Sequence, residues 1–332
     1  MKTIEVAHGS GGAKSQSLIN EVFKKQFSNP ILNAMDDAAT IEGNLAFTTD
    51  SFVVDPIIFQ GGDIGKLSIC GTVNDLAMKG AVPLYLSASF IIGQGFEIDK
   101  LKKIVASMAK EAKMAGVKIV TGDTKVIDSK TPDTLFITTT GIGKIPKGIN
   151  ISAKNASDGD KIILSGTIAD HGIAILNARN DFGFEGDIKS DCACLNHLVN
   201  GFISKDVKVL RDPTRGGIAS TLNEIASSSK VGMVIEDSKI PMSPSTKKAC
   251  SLLGLDPYHM PNEGKFIAIV KSSQADSILR KIKKNPLGKN AQIIGDVVRA
   301  TLVGAPNVFV KTRVGGLRTL YMLEGEQLPR IC

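Results

Sequence analysis

The chain has 332 residues, 42% of them hydrophobic and 22% charged, and a net charge of +7. That is room for two ordinary domains, in the composition of a soluble globular protein. No run approaches ~18 uninterrupted apolar residues, which excludes a membrane-spanning helix. With no tryptophan, three tyrosines and no basic–aromatic cluster, the composition also argues against nucleic-acid binding. The lysines are scattered over what read as solvated helix faces, and the modest positive charge suits anionic small molecules. Five cysteines, an odd number, fit a reducing cytoplasm. Met1–Glu5 leads straight into glycines, with no apolar secretory core.

His8-Gly9-Ser10-Gly11-Gly12 is the first motif. Its glycines let the backbone fold closely round an anion and aim N–H groups at it. A flexible N-terminal segment is the plainer alternative, because the spacing is neither the P-loop nor the dinucleotide fingerprint. A helix through Leu18, Ile19, Val22 and Phe23 follows. Asp36-Asp37-Ala38-Ala39 leads into a strand expected over 45–54, interrupted by Thr48-Thr49-Asp50-Ser51. Asp63 is placed to cap a helix with Ile64, Leu67, Val73 and Leu76 on one face and Asn74-Asp75 along it. A strand over 84–92 precedes the clearest helix, 98–115, with Leu101, Ile104, Val105, Met108 and Ala112 at helical spacing. A strand over 117–120 then delivers Thr121-Gly122-Asp123-Thr124-Lys125, and a strand over 135–140 ends in Gly141-Ile142-Gly143.

Asp37, Asp50, Asp75 and Asp123 therefore sit at strand ends or among small residues. Taken singly, each reads more plainly as a cap or turn residue. Taken together they suit a hard divalent cation such as Mg²⁺, which needs oxygen ligands and bridges readily to phosphates. Without a cation, carboxylates brought together raise one another's pKa.

Residues 144–159 lack period and are rich in turn formers, so a domain boundary is expected near 150, with a first domain of 1–150 and a second of 151–323. The second half alternates strands expected at 161–164, 207–210, 233–236, 265–270 and 291–294 with helices at 191–203, 217–228, 245–253 and 275–284. This alternation is an α/β layer pattern. Within it, Arg211-Asp212-Pro213-Thr214-Arg215-Gly216-Gly217 combines a fixed turn with a glycine helix start, a good anion seat. Asn262-Glu263-Gly264-Lys265 closes a loop before a strand. Cys192 and Cys194, without further Cys or His at ligand spacing, are a weak metal signal and read as structural. Cys70 and Cys250 sit on helical patterns. His8 and His171 read as turn histidines, with contact to substrate or phosphate as the alternative.

Residues 324–332 are polar, contain Gly325 and Pro329, show no period and end on Cys332. Extended, such a tail sweeps roughly 30 Å. It suits either an arm that carries a group on sulfur or an incidental surface thiol.

HGSGG, DDAA, TTDS, NDLAMKGA, TGDTK, RDPTRGG, NEGK and a terminal PRIC, in that order, resemble the hydrogenase maturation protein HypE family over essentially the whole chain. That family lies in the wider group of ATP-using enzymes similar to aminoimidazole ribonucleotide synthetase. The resemblance implies a two-domain α+β and α/β fold. The N-terminal domain would pair strands across a homodimer into a barrel, with the C-terminal α/β domain beside it. It implies ATP in the cleft, Mg²⁺ held by Asp37, Asp50, Asp75, Asp123 and Asp212, and Gly9, Ser10, Gly11 and Gly12 closing over the phosphates, with Asn74 also in the nucleotide set. It implies that a carbamoyltransferase, HypF, loads Cys332. ATP-dependent dehydration would then turn the S-carboxamide into an S-cyanide, which a HypC–HypD complex receives for the iron of nickel–iron hydrogenase.

The chemistry accounts for the residue types. A carboxamide oxygen is a poor leaving group until it is phosphorylated, and the nitrogen must then lose protons. The site needs groups that neutralise a triphosphate and a base near the amide nitrogen. Glu263 is the expected base, and Lys125 would steady phosphate or take a proton. A turn carboxylate and a solvated lysine are the plainer readings of these two. Arg330 favours the Cys332 thiolate while the terminal carboxylate opposes it. Two alternatives remain. One is a selenophosphate- or amidine-forming synthetase. Selenophosphate synthetases generally place a reactive Cys or selenocysteine in the N-terminal glycine-rich region, and residues 1–69 hold no cysteine. The other is a non-catalytic thiol carrier or scaffold, which has no need of an acidic magnesium–triphosphate set.

Overall fold

The computed structural model describes residues 3–129, 131, 133–180, 182, 184, 188–303 and 307–324. Cys332 and Arg330 lie outside the described residues. The chain opens with α1 (Ala13–Leu18), which passes through a π-helical stretch, Ile19–Lys24, into α2 (Lys25–Phe27). Its apolar residues are poorly covered in a single chain, with Val22 and Phe23 each about half exposed.

The first domain then runs through β1 (Ala39–Ile41), β2 (Leu45–Phe52), the small hairpin β3 (Ile58–Phe59) and β4 (Gly62–Asp63), α3 (Ile64–Met78), β5 (Val82–Gly93), α4 (Ile98–Ala115), β6 (Lys118–Ile127) and β7 (Leu135–Lys144). Five of these strands form one sheet in the order β1-β2-β7-β5-β6, antiparallel except for β5 and β6. Residues along β7 alternate between buried and less buried, so one face is covered and the other is open. Helix α3 packs against β2, β5 and β7, and α4 packs beside α3. Asp63 caps α3 as expected, its carboxylate accepting from the Lys66 N–H at 2.9 Å. Nearly every residue of α3 is buried, because the second domain covers the side that the sheet does not. Helix α4 keeps a narrower stripe, with Ile104, Met108 and Ala112 buried and the αL residue Gly116 ending it. Val105, expected in that stripe, is 43% exposed and faces a groove with Ile119 and Val120 of β6.

Strand β6 departs from expectation. The Thr121–Lys125 segment is not a turn; it continues the strand in parallel register with β5. A Cβ on Gly122 would lie 2.2 Å from the Ala88 carbonyl oxygen, so glycine permits this close pairing. The whole strand is an exposed sheet edge.

The second domain comprises β8 (Lys161–Leu164), α5 (Asp170–Asn180), α6 (Asn196–Asn200), β9 (Val207–Arg211), α7 (Gly217–Ser229), β10 (Val231–Glu236), α8 (Pro244–Leu253), β11 (Ile267–Val270), α9 (Ala275–Lys283), β12 (Gln292–Arg299), α10 (Ala300–Val303), β13 (Val308–Lys311) and β14 (Leu317–Thr319). Seven strands form a sheet in the order β14-β13-β10-β12-β8-β11-β9, antiparallel except for β10 and β13. Apolar residues of β8 and β11 go alternately to cores on opposite faces, Ile162 and Ile269 to one and Ile163 and Ala268 to the other. That double burial explains their uninterrupted apolar runs. The last two strands were not expected from the sequence. The helix expected at 191–203 shrinks to α6, because residues 191–195 spend their polar groups on the neighbouring loop and on Asn74.

The two domains are sewn together by buried polar contacts. Asp36 takes the Lys79 ammonium and the Ala153 N–H, and Lys79 also donates to the Ile151 carbonyl at 2.7 Å. Among the described residues no helix is long and apolar enough to cross a membrane, and Cys70, Cys192, Cys194 and Cys250 are free thiols.

Candidate active site

Where α3 and β2 meet the second domain, carboxylates from distant parts of the chain converge. The Thr48 hydroxyl of β2 lies 2.7 Å from Asp75 Oδ2 on α3 and 3.1 Å from the Asp37 backbone carbonyl. Arg211, at the end of β9, brings Nε to 2.7 Å from Asp37 Oδ1 and donates to Glu224 at 2.7 Å and to the Met35 carbonyl at 3.1 Å. Asp212 follows it, buried. Asp50, two residues beyond Thr48, feels the charge of Arg215.

This grouping is electrostatically costly. Burial, then the charges of Asp212, Asp37 and Asp50, push the Asp75 carboxyl well above the usual range. Burial also raises Asp37 well above that range, against the pull of Arg211. Asp212 is pushed up to about 6, chiefly by burial. Asp37 Oδ2 is buried with no hydrogen-bond partner among the described residues. Buried acceptors without donors, and carboxylates that raise one another, are the setting a hard cation relieves.

Four of the five expected metal ligands, Asp37, Asp50, Asp75 and Asp212, are thus together. Asp123 stands apart in the single chain. It is exposed on β6 and paired with Lys125 at 2.9 Å, and the side-chain hydrogen bond from Lys125 holds its pKa below the usual value. Asn74 is 1% exposed, and its amide is taken up by backbone of the second domain. Nδ2 donates to the Ala193 and Glu263 carbonyls, and Oδ1 accepts from the Leu195 N–H at 2.8 Å. In this structure it brackets the two domains.

Glu263 sits at the edge of the cluster. Burial first, then the charges of Asp212, Asp50 and Asp191, push its carboxyl well above the usual range, opposed by Arg215. The loop that carries it is held from behind. Asp191 accepts from the Glu263 N–H at 3.0 Å and the Gly264 N–H at 3.3 Å, and pairs with Lys265.

The glycine segment lies on the RDPTRGG turn. Gly11 is left-handed (φ +76°), and a Cβ there would meet Arg215 backbone at 2.7 Å; the Arg215 side chain reaches the Gly9 carbonyl at 3.4 Å. The Ser10 hydroxyl donates to the Ala7 carbonyl at 2.9 Å. The Ala13 N–H donates to the Leu323 carbonyl at 2.8 Å, and a Cβ on Gly12 would lie 2.2 Å from that oxygen. The last described stretch of the chain therefore ends against the glycine segment and the turn that faces Asp50 and Glu263. A cleft of about 1060 Å³, walled by Thr48, Arg211, Glu224 and Lys79, opens beside the cluster. That is ample for a nucleotide.

Sequence reasoning missed Thr48, Arg211, Arg215 and Asp191 as site residues. The first three stood inside motifs already singled out, where the flanking aspartates drew attention. Asp191 stood in no motif, and only the fold brings it beneath Glu263.

Residues 35–145 match the family AIR synthase related protein, N-terminal domain, and residues 157–304 match AIR synthase related protein, C-terminal domain. Carbamoyl dehydratase HypE of Cupriavidus necator is 48% identical over 99% of this chain and 95% of its own length. Among solved structures, the crystal structure of a HypE–HypF complex aligns with a TM-score of 0.89 and 48% identity over 92% of this chain and 100% of that chain. The hydrogenase maturation protein HypE in complex with ATP aligns with a TM-score of 0.84 and 46% identity over 99% of this chain and 100% of that chain. Full-length likeness of this degree, joined to a buried acidic cluster, a glycine segment and a carboxylate poised beside them, places the chain in the HypE carbamoyl dehydratase family of AIR synthase related proteins.

Proposed function

We propose that this protein is an ATP-dependent carbamoyl dehydratase that converts an S-carbamoyl group on Cys332 into S-cyanide, the cyanide source for nickel–iron hydrogenase. The observation that carries this reading is the convergence of Asp37, Asp50, Asp75 and Asp212 with Arg211, Arg215 and Glu263 beside the point where the chain heads into its tail. Residues 1–150 form the ATP- and metal-binding half, 151–323 supply Arg211, Asp212, Arg215 and Glu263, and 324–332 are the arm.

The cluster fits Mg²⁺, with Asp37, Asp50, Asp75 and Asp212 as the groups that would hold it; a bound Mg²⁺ supplies positive charge to the triphosphate. The segment Gly9, Ser10, Gly11 and Gly12 closes over the phosphates. The carboxamide oxygen on Cys332 attacks the γ-phosphorus and ADP leaves. The C–O bond then breaks, the oxygen departs as part of inorganic phosphate, and the nitrogen gives up two protons as the nitrile forms. Glu263 takes one of those protons, and the departing phosphate carries off the other. Burial raises the basicity of Glu263, and the nearby Arg215 guanidinium opposes that rise.

Strand β6 is the edge that pairs in a homodimer, and pairing brings Asp123 and Lys125 to a site that they do not reach within one chain. The barrel belongs to that dimer; the single chain has two open mixed sheets. HypF, named in the complex with a relative, is the carbamoyl donor, and a HypC–HypD complex is the acceptor. The reduced thiols suit a cytoplasmic setting.

The test is stoichiometric. Carbamoyl-loaded protein with Mg·ATP should release one phosphate per cyanated chain, and Cys332→Ala protein should release none. Phosphate release without any change at Cys332 would move the reading to a phosphorylating relative of the same fold.

A further inference from the structure

Behind the Glu263 loop, sulfur and carboxylate ligands from three elements meet. Cys70 of α3 and Cys194 of the loop before α6 bring their Sγ atoms to 3.3 Å. A carboxylate oxygen of Glu111, from α4, lies with those two sulfurs so that all three are within 4.8 Å of one another. Glu111 is 9% exposed. It nevertheless has no hydrogen bond or ion pair among the described residues, which is an expensive way to bury a carboxylate. Cys192, 2% exposed, neighbours Cys70 closely enough for the two thiols to shift each other's pKa.

We propose that Cys70, Glu111 and Cys194, with Cys192 as the fourth ligand, form a structural zinc site. Thiolates and one carboxylate suit Zn²⁺, and with Cys192 completing the set the site is a structural one, not a catalytic one. Zinc–sulfur bonds of about 2.3 Å put tetrahedral sulfurs about 3.8 Å apart, so Cys70 and Cys194 need separate by only a few tenths of an ångström. A disulfide between them would leave Glu111 unexplained, whereas a dication pairs all the groups at once. The spacing of Cys192 and Cys194 alone is a poor metal signal because the other two ligands come from two helices far away in sequence.

The site would pin α3 and α4 of the first domain to residues 192–194 of the second. Neighbouring Asp191 and Ala193 hold the loop that carries Glu263. The zinc is thus a fastener beneath that loop.

The test uses full-length protein carrying Cys332→Ala, so that the tail thiol takes no part. Protein produced with zinc should contain one zinc per chain by elemental analysis. Chelator-stripped protein refilled with Co²⁺ should show sulfur-to-cobalt charge transfer and the strong visible bands of a tetrahedral site. Cys70→Ser and Cys194→Ser should lose stoichiometric zinc. Glu111→Gln, the mildest change, should keep the fold by circular dichroism and bind zinc at least about tenfold more weakly. Folded protein that takes up neither metal would overturn the proposal, as would unchanged zinc affinity in Glu111→Gln and Cys194→Ser, or recovery of Cys70 and Cys194 as a disulfide under reducing purification.

Discussion

Asp191 and Lys265 form a buried ion pair of 3.1 Å directly beneath Glu263. The same carboxylate receives the Glu263 and Gly264 N–H groups, so one side chain sets both the charge balance and the backbone path of the loop. Asp191→Asn would leave Lys265 without its counter-charge and should cost about 3 kcal/mol of stability. Thermal unfolding checks this. ATP affinity, measured by calorimetry on protein that still folds, should fall far less than the dehydration rate.

Glu263 itself should separate binding from chemistry. Glu263→Gln keeps size and shape but cannot take a proton. ATP should bind as before, while single-turnover dehydration should slow by at least about 100-fold. Equal rates would remove Glu263 as the base.

Asp75 touches Thr48 and lies at the centre of the acidic group. Asp75→Asn should weaken Mg·ATP binding by at least about tenfold, or about 1.4 kcal/mol. Unchanged affinity in a magnesium titration would take Asp75 out of the metal set.

Much of this was legible in sequence. Strand β8 and helix α4 match their expected limits, because one is an apolar run and the other a strongly periodic helix. The aspartates that converge at the site were readable as motifs. What was not readable depends on partners remote in sequence. Whether TGDTK turns or continues as a strand is decided by Ala88 across the sheet. Asn74 reads as a site polar group, and only the fold shows its amide bonded to Ala193, Glu263 and Leu195. Asp191 and Glu111 carry no local signal, since each acquires its meaning from loops and helices brought to it by the fold.

The acidic cluster also fixes the sign of a pH effect. Asp212 titrates near 3.8 when unfolded and about 6 when folded, and Asp37 and Asp75 are raised in the same direction. The folded, cation-free protein therefore binds more protons, and the stability present below the ordinary carboxylate range is lost as pH rises through about 6. Buried His171, lowered to about 4, acts oppositely, losing stability as pH falls from 6.5. Comparing melting curves with Mg²⁺ and with chelator removes the histidine, which is common to both. The gap between the curves should widen from pH 5 to 7, and Asp212→Asn should narrow it. A gap independent of pH would contradict the cluster as the cation site.

The central claim is chemistry at Cys332, and peptide mass spectrometry of carbamoyl-loaded protein before and after Mg·ATP reads it most directly. The account predicts loss of one water from the C-terminal peptide, dependent on ATP and absent in Glu263→Gln. A loaded peptide that stays unchanged in folded, ATP-binding protein would contradict it.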